Sequence, residues 1–426
     1  MNKCIKCGLP LKTGETTQSD NPKCEICLRY EKKWAEYDFE KAYEDFNSII
    51  NFYKSKNKTY DCIVPISGGK DSTYVLHYLR QVLKLNTLAV NYDNGFQSNE
   101  AYINLKRVIE KTGSAYISYR LPWDKLRQLN KHYTLQSGGD ICGTCNMGVS
   151  HAIYKIAATE GVPLIIWGYS SIHENTPVFA GKRYCREKMY RNALAGSPAE
   201  KYVETITYDH FKRENNLLSL YLYNYIPYNE IEIIDTLKSD YGWKEPKHGS
   251  NKADCDIFNT ANYFKINHNG YGRINIKYSA LVRDNQISKE EAQNIIRKKE
   301  TSKKPNEMSE VFRKIGLNVD EVVAAKSRRL DFVEQVNDVN TLQCLLNEKM
   351  ELHEKIDLLI NFLKPEVERD GGTIEFDRIE NNFLFFKLGG DCRGCFLQQV
   401  MTNYIDTLLI RFIPELNGSF PVYELN

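Results

Sequence analysis

Net charge is almost absent from this 426-residue sequence: 57 basic against 55 acidic residues leave +2. That balance removes any global argument for a nucleic-acid or membrane surface. Only local basic stretches, Arg297–Lys304 and Lys326–Arg329, stand as candidate RNA contacts. No apolar run approaches the roughly 18 residues of a membrane span, so no membrane association is expected. The start, Met1-Asn2-Lys3-Cys4, lacks the apolar segment of a secretory signal, and a cytoplasmic protein is expected. The pattern G-x-x-x-x-G-K-[ST] is missing, which disfavours a Walker-type NTPase. An N-terminal cysteine nucleophile or other glutaminase signature is missing too, so ammonia, if used, would come from a partner.

Cysteine is scarce, at twelve residues, and too sparse for a disulfide scaffold. Yet eight of the twelve form C-x-x-C pairs: Cys4/Cys7, Cys24/Cys27, Cys142/Cys145 and Cys392/Cys395. In a reducing compartment such pairs hold metal or do redox chemistry. The first two pairs, joined by a turn-rich spacer, offer four thiolates to a tetrahedral structural Zn²⁺, and residues 1–30 have little other means of folding. Cys142 and Cys145 lie before a predicted helix, whose N-terminus lowers a thiol pKa. Two thiols cannot complete a metal or cluster site, and Cys185 and Cys255 are both candidates for the third.

Between the cysteine pairs, strand and helix patterns alternate. Asp61–Ile66, Leu85–Tyr92, Ala115–Tyr119 and Val162–Trp167 read as strands; Ser72–Leu83, Asn99–Thr112 and Val149–Glu160 read as helices. The alternation predicts an α/β domain with a parallel sheet covered on both faces. A tyrosine-rich irregular stretch, about 180–270, reads as a helical insertion. Ser288 with Glu291 forms a capping box opening a helix to Glu300. The expected division is a zinc segment 1–30, an α/β domain 31–300, a helical linker 301–349 and a small α+β domain 350–426.

The sharpest motif is Ile63-Val-Pro-Ile-Ser67-Gly68-Gly69-Lys70-Asp71-Ser72. A strand runs through two glycines into a helix, so backbone amides and the helix N-terminus can approach an anion. The hydroxyls of Ser67 and Ser72 add donors and Lys70 a charge, while Asp71 can hold Mg²⁺ or orient a leaving pyrophosphate. This loop resembles that of the PP-loop ATP pyrophosphatases, adenine nucleotide α-hydrolase-like enzymes. They activate an acceptor oxygen as its AMP ester and replace it with sulfur or nitrogen. Together with the cysteine pairs, P-L-I-I-W-G and Y-G-R-I-N-I-K-Y-S-A-L-V-R-D-N-Q, residues 1 to 300 resemble the N-acetyl sugar amidotransferase branch. The resemblance implies ATP with Mg²⁺ on Ser67–Ser72 and Lys70 and Asp71 as catalytic residues. It also implies adenosine near Asn91–Asp93, with Trp167 and Gly168 at the ligand edge. Tyr169 departs from it, standing where an acidic residue is expected.

The tail, L-G-G-D-C-R-G-C with D-G-G upstream at Asp370–Gly372, resembles the NifU C-terminal domain, an iron–sulfur scaffold and carrier. Cys392 and Cys395 give two thiolates where a 4Fe–4S cluster needs four, so a homodimer sharing the cluster is expected. Three cysteines at Cys142, Cys145 and Cys185 or Cys255 would resemble iron–sulfur thiolating members of the PP-loop superfamily. The combined expectation is a sulfur transferase supplied by a sulfur donor such as a cysteine desulfurase. Its acceptor would be a small molecule, a sugar or other amide or carbonyl, with tRNA also open. The alternatives are an amidotransferase on an N-acetyl sugar with a partner glutaminase, and an iron–sulfur carrier.

Overall fold

The structure, a computed structural model, describes residues 3–11, 22–56, 59–172, 186–245, 254–325, 339–347, 349–395 and 397–423. Cys185 and the basic stretch Lys326–Arg329 lie outside the described residues. Five strands, β1 (Cys62–Pro65), β2 (Thr87–Tyr92), β3 (Ala115–Tyr119), β4 (Leu164–Trp167) and β5 (Leu218–Tyr221), form one parallel sheet. The order is β3-β2-β1-β4-β5. All but β3 are buried at every position, as strands covered on both faces must be. The chain runs outward from β1 in one direction and resumes at β4 on the other side. Loops leaving β1 and β4 therefore part at the carboxyl edge and open a crevice, where such sheets take ligands.

Local chemistry accounts for the helices around this crevice. Ser98 caps the Asn99–Thr112 helix by accepting from Ala101 N, and Gly113 ends it in the left-handed conformation. The Ser288 capping box is present, with both reciprocal bonds. The helix after the glycine loop begins at Lys70 and passes into a π-helical stretch, Tyr78–Val82, which blurs its apolar period. The helix expected from Val149 begins at Cys142, so Cys142 and Cys145 lie in its first turn rather than before it. The helix Trp123–Gln136 and strand β5 were not anticipated. The helices Met308–Lys314 and Val319–Ala325, in the stretch read as a linker, bury Met308, Phe312 and Val322 in a core shared with Phe96, Ile141 and Phe264.

A second sheet follows: β6 (Gly372–Glu380), β7 (Phe383–Gly390) and β8 (Gly418–Val422), with β6 antiparallel and β8 parallel to β7. The helices Leu352–Arg369 and Gln398–Phe412 pack on it around Leu363, Phe386, Ile405 and Leu408. This α+β unit rests on the rest of the chain at two places. Near the N-terminus, Lys33 Nζ meets Asp406 Oδ2 at 2.9 Å, both side chains almost fully buried, and Arg29 donates to Thr407 at 2.8 Å. Removing one partner of such a buried pair costs about 3–5 kcal/mol. The second place is β5, an edge strand that is nonetheless buried because the C-terminal unit covers it. Among the described residues no helix is long and apolar enough to cross a membrane.

Candidate active site and thiol clusters

A cavity of about 750 Å³ lies in the crevice between the ends of β1 and β4. Ser67, Gly69, Lys70, Asp71 and Ser72 line one side and Trp167, Gly168 and Tyr169 the other. The close fit explains the glycines. A Cβ on Gly168 would stand 2.9 Å from Ser72 N, and one on Gly68, at φ +84°, would meet Ala101 O at 2.2 Å. Gly68 is thus required by packing against the neighbouring helix, and it does not line the cavity. Ser67 N donates to Ser72 Oγ at 3.2 Å, which closes the loop on itself.

Lys70 is held by its neighbour Asp71 and by two residues far away in sequence. Its Nζ donates to Asp71 Oδ1 at 2.5 Å and to Tyr228 Oη at 2.6 Å, and lies 3.3 Å from Glu230 Oε2. Lys277 reaches the same Glu230 at 2.8 Å. Burial pushes the Glu230 carboxyl up, but the ammonium groups of Lys70 and Lys277 outweigh it and hold the group below its usual range. Burial lowers Lys277, and Glu230 offsets only part of that. Lys70 and Lys277 thus converge on Glu230 beside the glycine loop, two ammonium groups placed to meet a polyphosphate. Tyr228, Glu230 and Lys277 were not singled out from the sequence. The available signal was Arg273 and Lys277, four apart on one helix face, both lining the cavity.

Asp93 is placed elsewhere. It pairs with Arg120 at 2.6 Å, accepts from Gly95 N at 2.8 Å, and is not among the cavity residues. Asn91 and Tyr92 do line the cavity, and Asn91 also donates to Ile66 O at 2.9 Å, tying β2 to the end of β1.

Cys142, Cys145 and Cys255 gather behind the cavity wall, which their neighbours Asn146, Asp254 and Arg273 line. Asn94 Nδ2 donates to Cys145 Sγ at 3.2 Å and to Cys255 Sγ at 3.7 Å. The partly buried Arg273 guanidinium reaches Cys142 Sγ at 3.3 Å. Gln97, bridged to Cys255, donates to Ser67 O at 3.1 Å and so links the thiols to the glycine loop. Burial pushes the Cys255 thiol up. These three sulfurs are more widely spread than a single ion requires. A cluster, whose ligands bind separate irons, would accommodate that spread, and Arg273 would offset its negative charge. Among the described residues the one set of metal-ligating groups within 4.8 Å of one another is Cys4, Cys7, Cys24 and Cys27, all buried. Arg283, buried at the end of the Arg273–Arg283 helix, donates to Cys7 Sγ at 3.4 Å. Four thiols and a cation fit one tetrahedral metal ion.

In the C-terminal unit, Asp370–Gly372 packs under the cysteine loop: Asp391 N donates to Gly371 O at 3.0 Å, and a Cβ on Gly372 would stand 2.5 Å from Cys392 Sγ. Residues 356–418 match the family model of the NifU-like domain. The C-terminal domain is NifU-like. Residues 240–340, which carry Cys255, Arg273 and Lys277, match the model described as LPS biosynthesis protein WbpG-like, C-terminal domain. The uncharacterized protein MJ1599 of Methanocaldococcus jannaschii is 26% identical over 325 residues, spanning 74% of this chain and all of that protein. Two solved structures are distant likenesses. The U34-tRNA thiolase NcsA from Methanococcus maripaludis with its [4Fe-4S] cluster is 14% identical, covering 76% of this chain and 95% of that one, with a TM-score of 0.28. An NH3-dependent NAD synthetase from Campylobacter jejuni is 16% identical, covering 48% and 94%, with a TM-score of 0.26. The chain joins a five-stranded parallel sheet and an N-terminal four-cysteine cluster to the NifU-like domain.

Proposed function

We propose that the protein is an ATP-dependent sulfur transferase. The observation that carries this reading is nearness: Cys255, grouped with Cys142 and Cys145 around Asn94 and Arg273, is bridged to Gln97, which donates to Ser67 O of the glycine loop at 3.1 Å. Ser67, Gly69 and Ser72 cradle the phosphates of ATP, Lys70 and Lys277 offset their charge, and Asp71 holds Mg²⁺. An acceptor oxygen attacks the α-phosphorus, the α–β bridging P–O bond breaks, and pyrophosphate leaves. Sulfide then attacks the activated carbon, a C–S bond forms, and the C–O bond to AMP breaks. A 4Fe–4S cluster on Cys142, Cys145 and Cys255 would supply the sulfide, because three ligands leave one iron without a protein thiolate. The NifU-like domain supports the sulfur reading, since nitrogen transfer has no evident need of such a domain. The acceptor is a small molecule or a tRNA base, and a cysteine desulfurase, with a thiol that reduces its persulfide sulfur by two electrons to sulfide, is a fitting source of sulfur. Anaerobic incubation with ATP and candidate acceptors, followed by mass spectrometry, tests this: AMP, pyrophosphate and an oxygen-to-sulfur exchange are expected. ADP and phosphate as the products would sink it.

The second reading, an amidotransferase fed ammonia by a glutaminase, is favoured by the WbpG-like match over residues 240–340. Under either reading we assign Zn²⁺ to Cys4, Cys7, Cys24 and Cys27, and a 4Fe–4S cluster shared in a homodimer to Cys392 and Cys395. Zinc is expected at about one ion per chain, the stoichiometry of a Cys₄ site. Cys24→Ser should release it and lower the melting temperature while leaving iron content unchanged. Iron lost in that variant would move iron to the N-terminal site.

A further inference from the structure

We infer that the NifU-like domain acts on the nucleotide cavity of its own chain: its cysteine loop is seated on a receptor surface of the α/β domain, and seating completes the cavity wall. This rests on the reading of the cavity as a nucleotide site. The receptor consists of Tyr154, Lys212, Arg213 and Leu217. Lys212, almost fully buried with its Nζ over the rings of Tyr154 and Tyr208, donates to Asp391 O at 2.9 Å. Arg213 pairs with Asp391 Oδ2 at 2.8 Å. Tyr154 Oη donates to Gly394 O at 3.2 Å. Gly394, at φ +61°, lies so close to the start of β5 that a Cβ would stand 1.9 Å from Leu217 O. Between Cys392 and Cys395, therefore, only glycine permits the contact.

Just beyond the loop the chain enters the cavity. Cys395 Sγ accepts from Leu397 N at 3.4 Å, and Leu397, Gln399 and Val400 line the same cavity as Lys70 and Gly168. Gln398 pins this turn to β5 by donating to Ser219 O at 3.1 Å. Both cysteines stay partly exposed in the seated loop, open to iron or to a second chain. What binds Cys395 competes with Leu397 N–H for its sulfur and so acts on the wall. Seating and nucleotide binding are then coupled, and the coupling is reciprocal.

The test uses the full chain, anaerobically, with α,β-methylene ATP, which cannot be cleaved at the bond expected to break. Calorimetry reads its affinity, and hydrogen–deuterium exchange reads the amides of residues 397–401. Gly394→Val should unseat the loop, raise exchange there and weaken the analogue about fivefold or more, the usual range of such coupling. Arg213→Glu, acting from the other side on a half-exposed pair, should do the same to a smaller degree. Wild-type affinity in a variant whose exchange has risen would overturn the coupling. Unchanged exchange in both variants would overturn the seating. No binding by the wild type would instead refute the nucleotide reading, and exchange would still report the seating.

Discussion

Lys70→Ala is expected to lower the formation of AMP and pyrophosphate by about 10²–10³-fold, the range for removing one preorganised donor from a site of developing charge. The geometry makes Lys70 the hub of the cavity. It touches Asp71, Tyr228 and Glu230. Removing it leaves Glu230 paired with Lys277 at 2.8 Å, so no buried carboxylate is stranded and the fold should survive. Circular dichroism and zinc content should match the wild type. Lys70→Arg keeps the charge but not the compact ammonium that fits between Asp71 and Tyr228, and should recover little activity. Near-wild-type turnover in Lys70→Ala, measured as pyrophosphate release, would mean that the phosphates sit elsewhere.

The glycine loop was legible because its chemistry is contiguous: strand, two glycines, lysine and helix lie within ten residues. The four N-terminal cysteines were legible for the same reason. Tyr228, Glu230 and Lys277 were not, since they stand 158 to 207 positions from Lys70 and only the folded sheet gathers them. Strand β5 was hidden by its length and setting. Leu-Ser-Leu-Tyr is short, alternates poorly, and sits among tyrosines that read as an insertion. Asp93 shows the reverse failure. A carboxylate at the end of β2 looked like a ligand contact, yet a nearby arginine and the amide of Gly95 occupy it. Motif position named the edge of the sheet correctly but not which side chains turn into the crevice.

The choice between sulfur and nitrogen is decided by the cysteines, and here the two readings predict opposite results. If sulfur is delivered at the cavity wall, Cys142→Ser should cut oxygen-to-sulfur exchange by more than about 100-fold. Even outer partners of metal ligands are worth about 10–100-fold, and a direct ligand is worth more. AMP formation should persist, because Lys70, Asp71 and Lys277 remain in place. Adding Cys392→Ser should remove the remaining visible absorbance near roughly 400 nm, expected of thiolate-bound 4Fe–4S centres, and weaken self-association measured by sedimentation. An amidotransferase needs neither cluster. Its acceptor ester is attacked by ammonia, whose entry requires the cavity but no thiolate. Full ammonia-dependent turnover in the Cys142→Ser, Cys392→Ser double variant would therefore refute sulfur transfer. It would leave Arg273, freed from Cys142 at the cavity wall, as a cation facing the acceptor rather than a cluster.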